Sequence, residues 1–91
     1  MAVKELVLPK IGEQEHVGEG HKLVLYNDDF NTFDWVIESL VEVCGHTHAQ
    51  AEQCAIIVHY KGKYAVLGGS FDFLLPRRRA LEDRGLSCTV E

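Results

Sequence analysis

The stretch LVLYNDDFNTFDWVIESLVEVCGHTHAQAEQCAIIVHYKGK, residues 23–63, changes its hydrophobic period twice, and those changes decide the fold. Leu23-Val24-Leu25-Tyr26 is a short apolar run that stops at Asn27-Asp28-Asp29. A run of that length bounded by turn-forming residues reads as a buried strand. Phe33, Val36, Ile37, Leu40, Val41 and Cys44 then follow at i, i+3, i+4, i+7, i+8 and i+11, the spacing of one helix face. Asn31 or Thr32 can cap its start with a side-chain oxygen, and Gly45 stops it. Thr47 followed three residues later by Gln50 is a capping box, so a second helix begins at once. Its apolar face is Ala51, Cys54, Ala55 and Val58. Two helices joined by so short a loop are expected to lie antiparallel.

Outward from this centre, Lys61-Gly62-Lys63 ends the second helix, and Tyr64-Ala65-Val66-Leu67 reads as a strand closed by Gly68-Gly69. A third helix fits Asp72 to Arg84, with Pro76 near enough to its start to be tolerated and Gly85 as the left-handed stop. Leu86, Cys88 and Val90 alternate with Ser87, Thr89 and Glu91, as in a half-buried strand. The order β-α-α-β-α-β predicts an α+β domain, a small antiparallel sheet with helices packed against it. Residues 1–20 differ. They hold Pro9, three glycines and Glu13, Glu15 and Glu19 without a sustained period. We therefore expect a flexible N-terminal arm over 1–20 and a core domain over 21–91.

Ninety-one residues make one domain, large enough to fold without a disulfide or metal staple. A hydrophobic content of 46% with 25% charged residues excludes a largely disordered chain. The net charge of −5 argues against nucleic acid, whose phosphates are bound by cations. Six carboxylates and no Lys or Arg lie between Asp28 and Glu52, a bias that attracts a cation such as a free peptide amine. No run approaches the roughly 20 apolar residues needed to span a bilayer, so no membrane association is expected. Three cysteines, Cys44, Cys54 and Cys88, do not close into pairs, and with no signal-peptide pattern the chain is expected to be cytoplasmic and reduced.

Four groupings could carry chemistry. Cys44, His46, His48, Cys54 and His59 lack the tight paired spacing that zinc requires, and His46 and His48 fall in a helix-helix loop where imidazoles are usually solvated. A Cys54–His59 nucleophile is disfavoured because five residues place the two about 140° apart around a helix. Neither a catalytic residue nor a cofactor is therefore expected, although a small metal-binding domain stays an alternative. Arg77-Arg78-Arg79 reads first as a solvated helix face. The fourth grouping is a pocket. Asn and Asp are ordinary turn residues, yet an amide, two carboxylates and an imidazole can also surround an ammonium group. Phe33, Val36, Ala55 and Val58 would line an apolar hole beside it, which suits a free N-terminus followed by an apolar side chain.

Tyr26-Asn27-Asp28-Asp29-Phe30, the helix from Phe33 to Leu40 and Val58-His59-Tyr60-Lys61-Gly62-Lys63 together closely resemble the ClpS family, from about Lys22 to Glu91. These are adaptors that deliver N-end-rule substrates to the Clp AAA+ protease. The resemblance implies a ClpS-like fold, related to a ribosomal-stalk-like domain, and a Clp unfoldase as partner. It implies that Asn27, Asp28 and His59 bind the substrate's α-amine. Asp29 completes the motif, and Asn31 stands where the family usually has a Thr touching the peptide backbone. Phe33, Val36, Ala55, Val58 and Leu86 match positions lining a pocket for N-terminal Leu, Phe, Tyr or Trp. An interaction module of the same fold without an amine pocket is the alternative. Three departures accompany the likeness: Phe33 and Ala55 replace residues that are commonly Met or large, residues 68–88 are shorter, and the strand from Tyr64 holds one extra residue, a bulge.

Overall fold

A computed structural model of the chain describes residues 20–91. The arm expected over residues 1–20 lies, apart from Gly20, outside the described residues. The element order is β1 (His21–Tyr26), α1 (Phe33–Cys44), α2 (His48–Lys61), β2 (Lys63–Gly69), α3 (Phe71–Asp83) and β3 (Ser87–Val90). The strands form an antiparallel sheet in the order β2-β1-β3. As the central strand, β1 is buried at three consecutive residues, Leu23, Val24 and Leu25, rather than at alternate ones. Leu23 and Leu25 meet Leu40 of α1, Ala51, Cys54, Ala55 and Val58 of α2, and Leu74 and Leu81 of α3 in one core. No described helix is long and apolar enough to cross a membrane.

Most helix ends follow local chemistry. Of the two candidates, Thr32 is the cap of α1, its Oγ1 accepting from the Trp35 amide at 3.0 Å. Thr47 and Gln50 form both halves of the capping box on α2, at 3.1 and 3.0 Å. The third helix begins one residue earlier than expected, because Ser70 is its cap and accepts from the Phe73 amide. It also ends one residue earlier, with Arg84 as the last cap and Gly85 left-handed at φ +89°. The Gly85 amide donates to the Glu82 carbonyl and the Leu86 amide to the Leu81 carbonyl, a Schellman stop with both leucines buried. Pro76 is the sixth residue of α3, tolerated inside the helix near its start. The backbone bond it cannot make belongs to Asp72, which is exposed, so water can satisfy that carbonyl.

The expected bulge is present. Leu23 pairs with Leu67 but Val24 with Ala65, leaving Val66 as the extra residue of β2. His46 Nε2 lies 2.9 Å from the Val66 carbonyl. A carbonyl only accepts, so Nε2 carries the proton. The loop histidine expected to be solvated is thus half-buried, supplying the donor that the bulge withholds from its own strand. Burial holds its pKa below the usual imidazole value, and the bond to Val66 offsets this only in part. The cysteines are free, and burial pushes the Cys44 and Cys54 thiols up to about 12 and that of Cys88 to about 11.

Candidate functional site

A cavity of about 210 Å³ opens where the end of β1 meets α1 and α2. Leu25 and Asn27 come from β1 and its end, Asp28 and Asn31 from the turn, Phe33 and Val36 from α1, and Ala55, Val58 and His59 from α2. The helical spacings explain the convergence. Phe33 and Val36 are three apart on α1, and Ala55, Val58 and His59 are i, i+3 and i+4 on α2. One glycine joins the two sides. The Gly62 amide donates to the Val58 carbonyl at 2.8 Å, ending α2, while its carbonyl accepts from the Asn27 amide at 2.9 Å. At φ +93° this position favours glycine, and it fixes the end of the strand against the end of the helix.

The polar rim has an ordered half and an uncommitted half. Asp28 Oδ1 accepts from the Phe30 and Asn31 amides, both at 2.8 Å, and Oδ2 accepts from Asn31 Nδ2 at 2.8 Å. Partial burial alone would raise the Asp28 pKa, but these bonds from Asn31 and Phe30 outweigh it and hold the carboxyl below its usual value. A carboxylate offers about four acceptor sites, so one remains on Oδ2. Asn27 and His59 are exposed, and neither side chain is hydrogen-bonded among the described residues. The His59 ring instead stands edge-on to Phe33, centroids 5.9 Å apart, and to Tyr60 at 5.1 Å. An amide oxygen, a carboxylate oxygen and an imidazole nitrogen are therefore available as acceptors beside an apolar wall.

Eight of the residues anticipated from sequence line this one cavity, and two do not. Asp29 is exposed and makes no hydrogen bond or ion pair among the described residues. Leu86 is 4% exposed and lies in the core cluster with Leu81, and it is not among the residues lining the cavity. Leu25 also lines the cavity, beyond the residues anticipated. Its signal was the strand period, since Leu25 and Asn27 are two apart and share a face. Among the described residues no group of three His, Cys, Asp or Glu side chains is placed to hold a metal ion. Two of the clustered arginines are committed locally: Arg77 donates to the Phe73 carbonyl and lies 3.9 Å over the Phe73 ring, and Arg78 pairs with Glu82.

The model of the family described as ATP-dependent Clp protease adaptor protein ClpS matches residues 18–89. A ClpS adapter from Acetivibrio thermocellus is 44% identical over 46 residues, covering 50% of this chain and 46% of that protein. One from Desulforapulum autotrophicum is 27% identical over 62 residues, 68% of this chain and 60% of its own length. The matched stretch thus spans about half the length of these curated relatives. Agrobacterium tumefaciens ClpS2, solved bound to L-phenylalaninamide, superposes with a TM-score of 0.75 at 22% identity, over 78% of this chain and 93% of that one. That likeness is one of fold, with the same sheet and helix order. With a family model covering most of its length, the chain belongs to the ClpS family of Clp protease adaptors.

Proposed function

We propose that this chain binds peptides presenting a free α-amino group and a bulky hydrophobic first residue, Leu, Phe, Tyr or Trp, and passes them to a Clp ATP-dependent unfoldase. The observation that carries this reading is the pairing of uncommitted acceptors with an apolar hole of suitable size. An α-amine has a reference pKa of about 7.7–8.0 and is mostly cationic at neutral pH. Asp28 supplies the opposite charge, and Asn27 and a neutral His59 accept the remaining N–H bonds. Phe33, Val36, Ala55 and Val58 receive the side chain. A cavity of about 150 Å³ lined by apolar residues holds a benzene ring, so 210 Å³ accommodates a phenyl group. The ligand of the Agrobacterium relative, an amino acid amide, carries the same amine and phenyl groups.

Asn31 would reach the peptide backbone from the rim, and Asp29 adds a second negative charge beside it. No bond is made or broken, since recognition alone is required of an adaptor. Discrimination should be steep: an internal or acetylated peptide leaves the carboxylate facing an apolar ligand without its cation. The test is fluorescence anisotropy with a labelled peptide beginning with Phe or Leu and its N-acetylated twin. Binding of the free peptide alone, lost in His59→Ala and Asn27→Ala, is the expected result. Equal binding of both peptides would leave a merely hydrophobic pocket and remove the amine-binding reading.

A further inference from the structure

Asn31 uses both hydrogens of its side-chain amide on backbone and side chain at once. One goes to Asp28 Oδ2 at 2.8 Å, the other to the Gly85 carbonyl at 3.0 Å, 54 residues away in sequence. The Gly85 carbonyl belongs to the Schellman stop between α3 and β3, which is held by further contacts with α1. Trp35 Nε1 donates to the Arg84 carbonyl at 2.9 Å, and the Arg84 guanidinium pairs with Glu42 and stands 5.2 Å over the Trp35 ring. A hydroxyl cannot make this double link, because it has a single hydrogen to donate.

We propose that Asn31 is a positioning residue for Asp28, anchoring its carboxylate to the α3–β3 turn so that the remaining lone pair on Oδ2 faces the cavity. The proposal rests on the amine-binding reading above and adds a determinant to it. Asn31 spends its donors on the fold and keeps only an acceptor oxygen for a ligand. Its contribution to binding therefore runs chiefly through Asp28. The other charged or imidazole groups on the surrounding elements are Asp29 in the turn, Asp34 and Glu38 on α1, His48, Glu52, His59 and Lys61 on α2, and the Arg84–Glu42 pair. Among the described residues none of them is hydrogen-bonded to Asp28, which leaves the Asn31 amide as the side-chain donor holding it.

The experiment follows the Asp28 carboxyl by carbon NMR across an acid titration in the wild-type chain, Asn31→Ala and Asn31→Ser, alongside binding of the free Phe peptide. In the wild type the midpoint should lie below the ordinary carboxylate range. Asn31→Ala should move it upward and weaken the free peptide about 5-fold, the equivalent of one hydrogen bond. Asn31→Ser, with one donor left, should fall between. A wild-type midpoint in the ordinary range, or one unmoved in a variant that still folds, would overturn the proposal. If the wild type bound free and acetylated peptides alike, the amine reading would fall, while the titration would still decide what Asn31 does to Asp28.

Discussion

Ala55 offers the sharpest perturbation of the cavity, being 3% exposed and part of its wall on α2. Ala55→Leu keeps a strong helix former and adds three carbon atoms. If each displaces about the 30 Å³ that a water molecule occupies, roughly 90 Å³ of the 210 Å³ is filled. What is left, roughly 120 Å³, is smaller than the ~150 Å³ cavity that admits benzene. A phenyl side chain then stays in solvent and forfeits about 2–3 kcal/mol of burial. Converted at about 1.4 kcal/mol per tenfold, the Phe peptide should bind roughly 30- to 150-fold more weakly. A peptide beginning with Ala keeps its amine contacts and needs no hole, so its weaker binding should be nearly unchanged. Calorimetry or anisotropy with both peptides on both proteins gives the four constants. A parallel loss for the two peptides would mean that the substitution distorts the polar rim. An unchanged constant for the Phe peptide would mean that the side chain is not seated against Ala55.

Thr47→Ala removes the capping box at the end of α2 opposite His59, and should cost about 1 kcal/mol. For a domain of this size that is a fall of roughly 4–8 °C in Tm, readable by circular dichroism with peptide affinity intact. His46 resists protonation in the folded chain, whereas unfolded imidazole takes up a proton near pH 6.5. Its stabilising effect is therefore present above that pH and lost as pH falls, so the urea midpoint should drop between pH 7.5 and 5.5. His46→Gln, which keeps a donor for Val66, should show a smaller drop over the same interval. Thiols raised to about 12, 12 and 11 hold almost no thiolate at neutral pH, so Cys44, Cys54 and Cys88 should react slowly with iodoacetamide until the chain is unfolded, as mass spectrometry would show.

What was legible in the sequence is what local chemistry decides. Thr47 and Gln50 satisfy each other within one turn, Gly45 and Gly62 stop helices through their own φ, and the α1 and α2 faces follow from spacing alone. Ser70 was hidden because it follows two glycines that already explained the end of the strand. The place of Leu86 depends on how α3 stops, which is a matter of backbone turns rather than of residue type. His46 and Asn31 owe their roles to partners 20 and 54 residues away, Val66 and Gly85, that no periodicity reveals. The cavity lies between these extremes. Its residues carried a joint signal in polar turn and helix spacing, yet only the docking of β1 on the end of α2 makes them neighbours.

That docking passes through Gly62, and it makes the site a property of the whole chain rather than of any segment. Residues 25–31 and 55–59 share no element, and the Asn27–Gly62 bond that aligns them continues the pairing of β1 with β2 beyond Tyr26 and Lys63. A loosened chain that kept α1 and α2 while losing its sheet would retain every rim residue and no receptor. Capture and cooperative unfolding are then two views of one equilibrium. At a peptide concentration of about 100 times Kd, the folded form gains about 2.7 kcal/mol. The adaptor's grip should therefore vanish over the same narrow interval of urea in which its sheet comes apart, leaving no weakly holding intermediate.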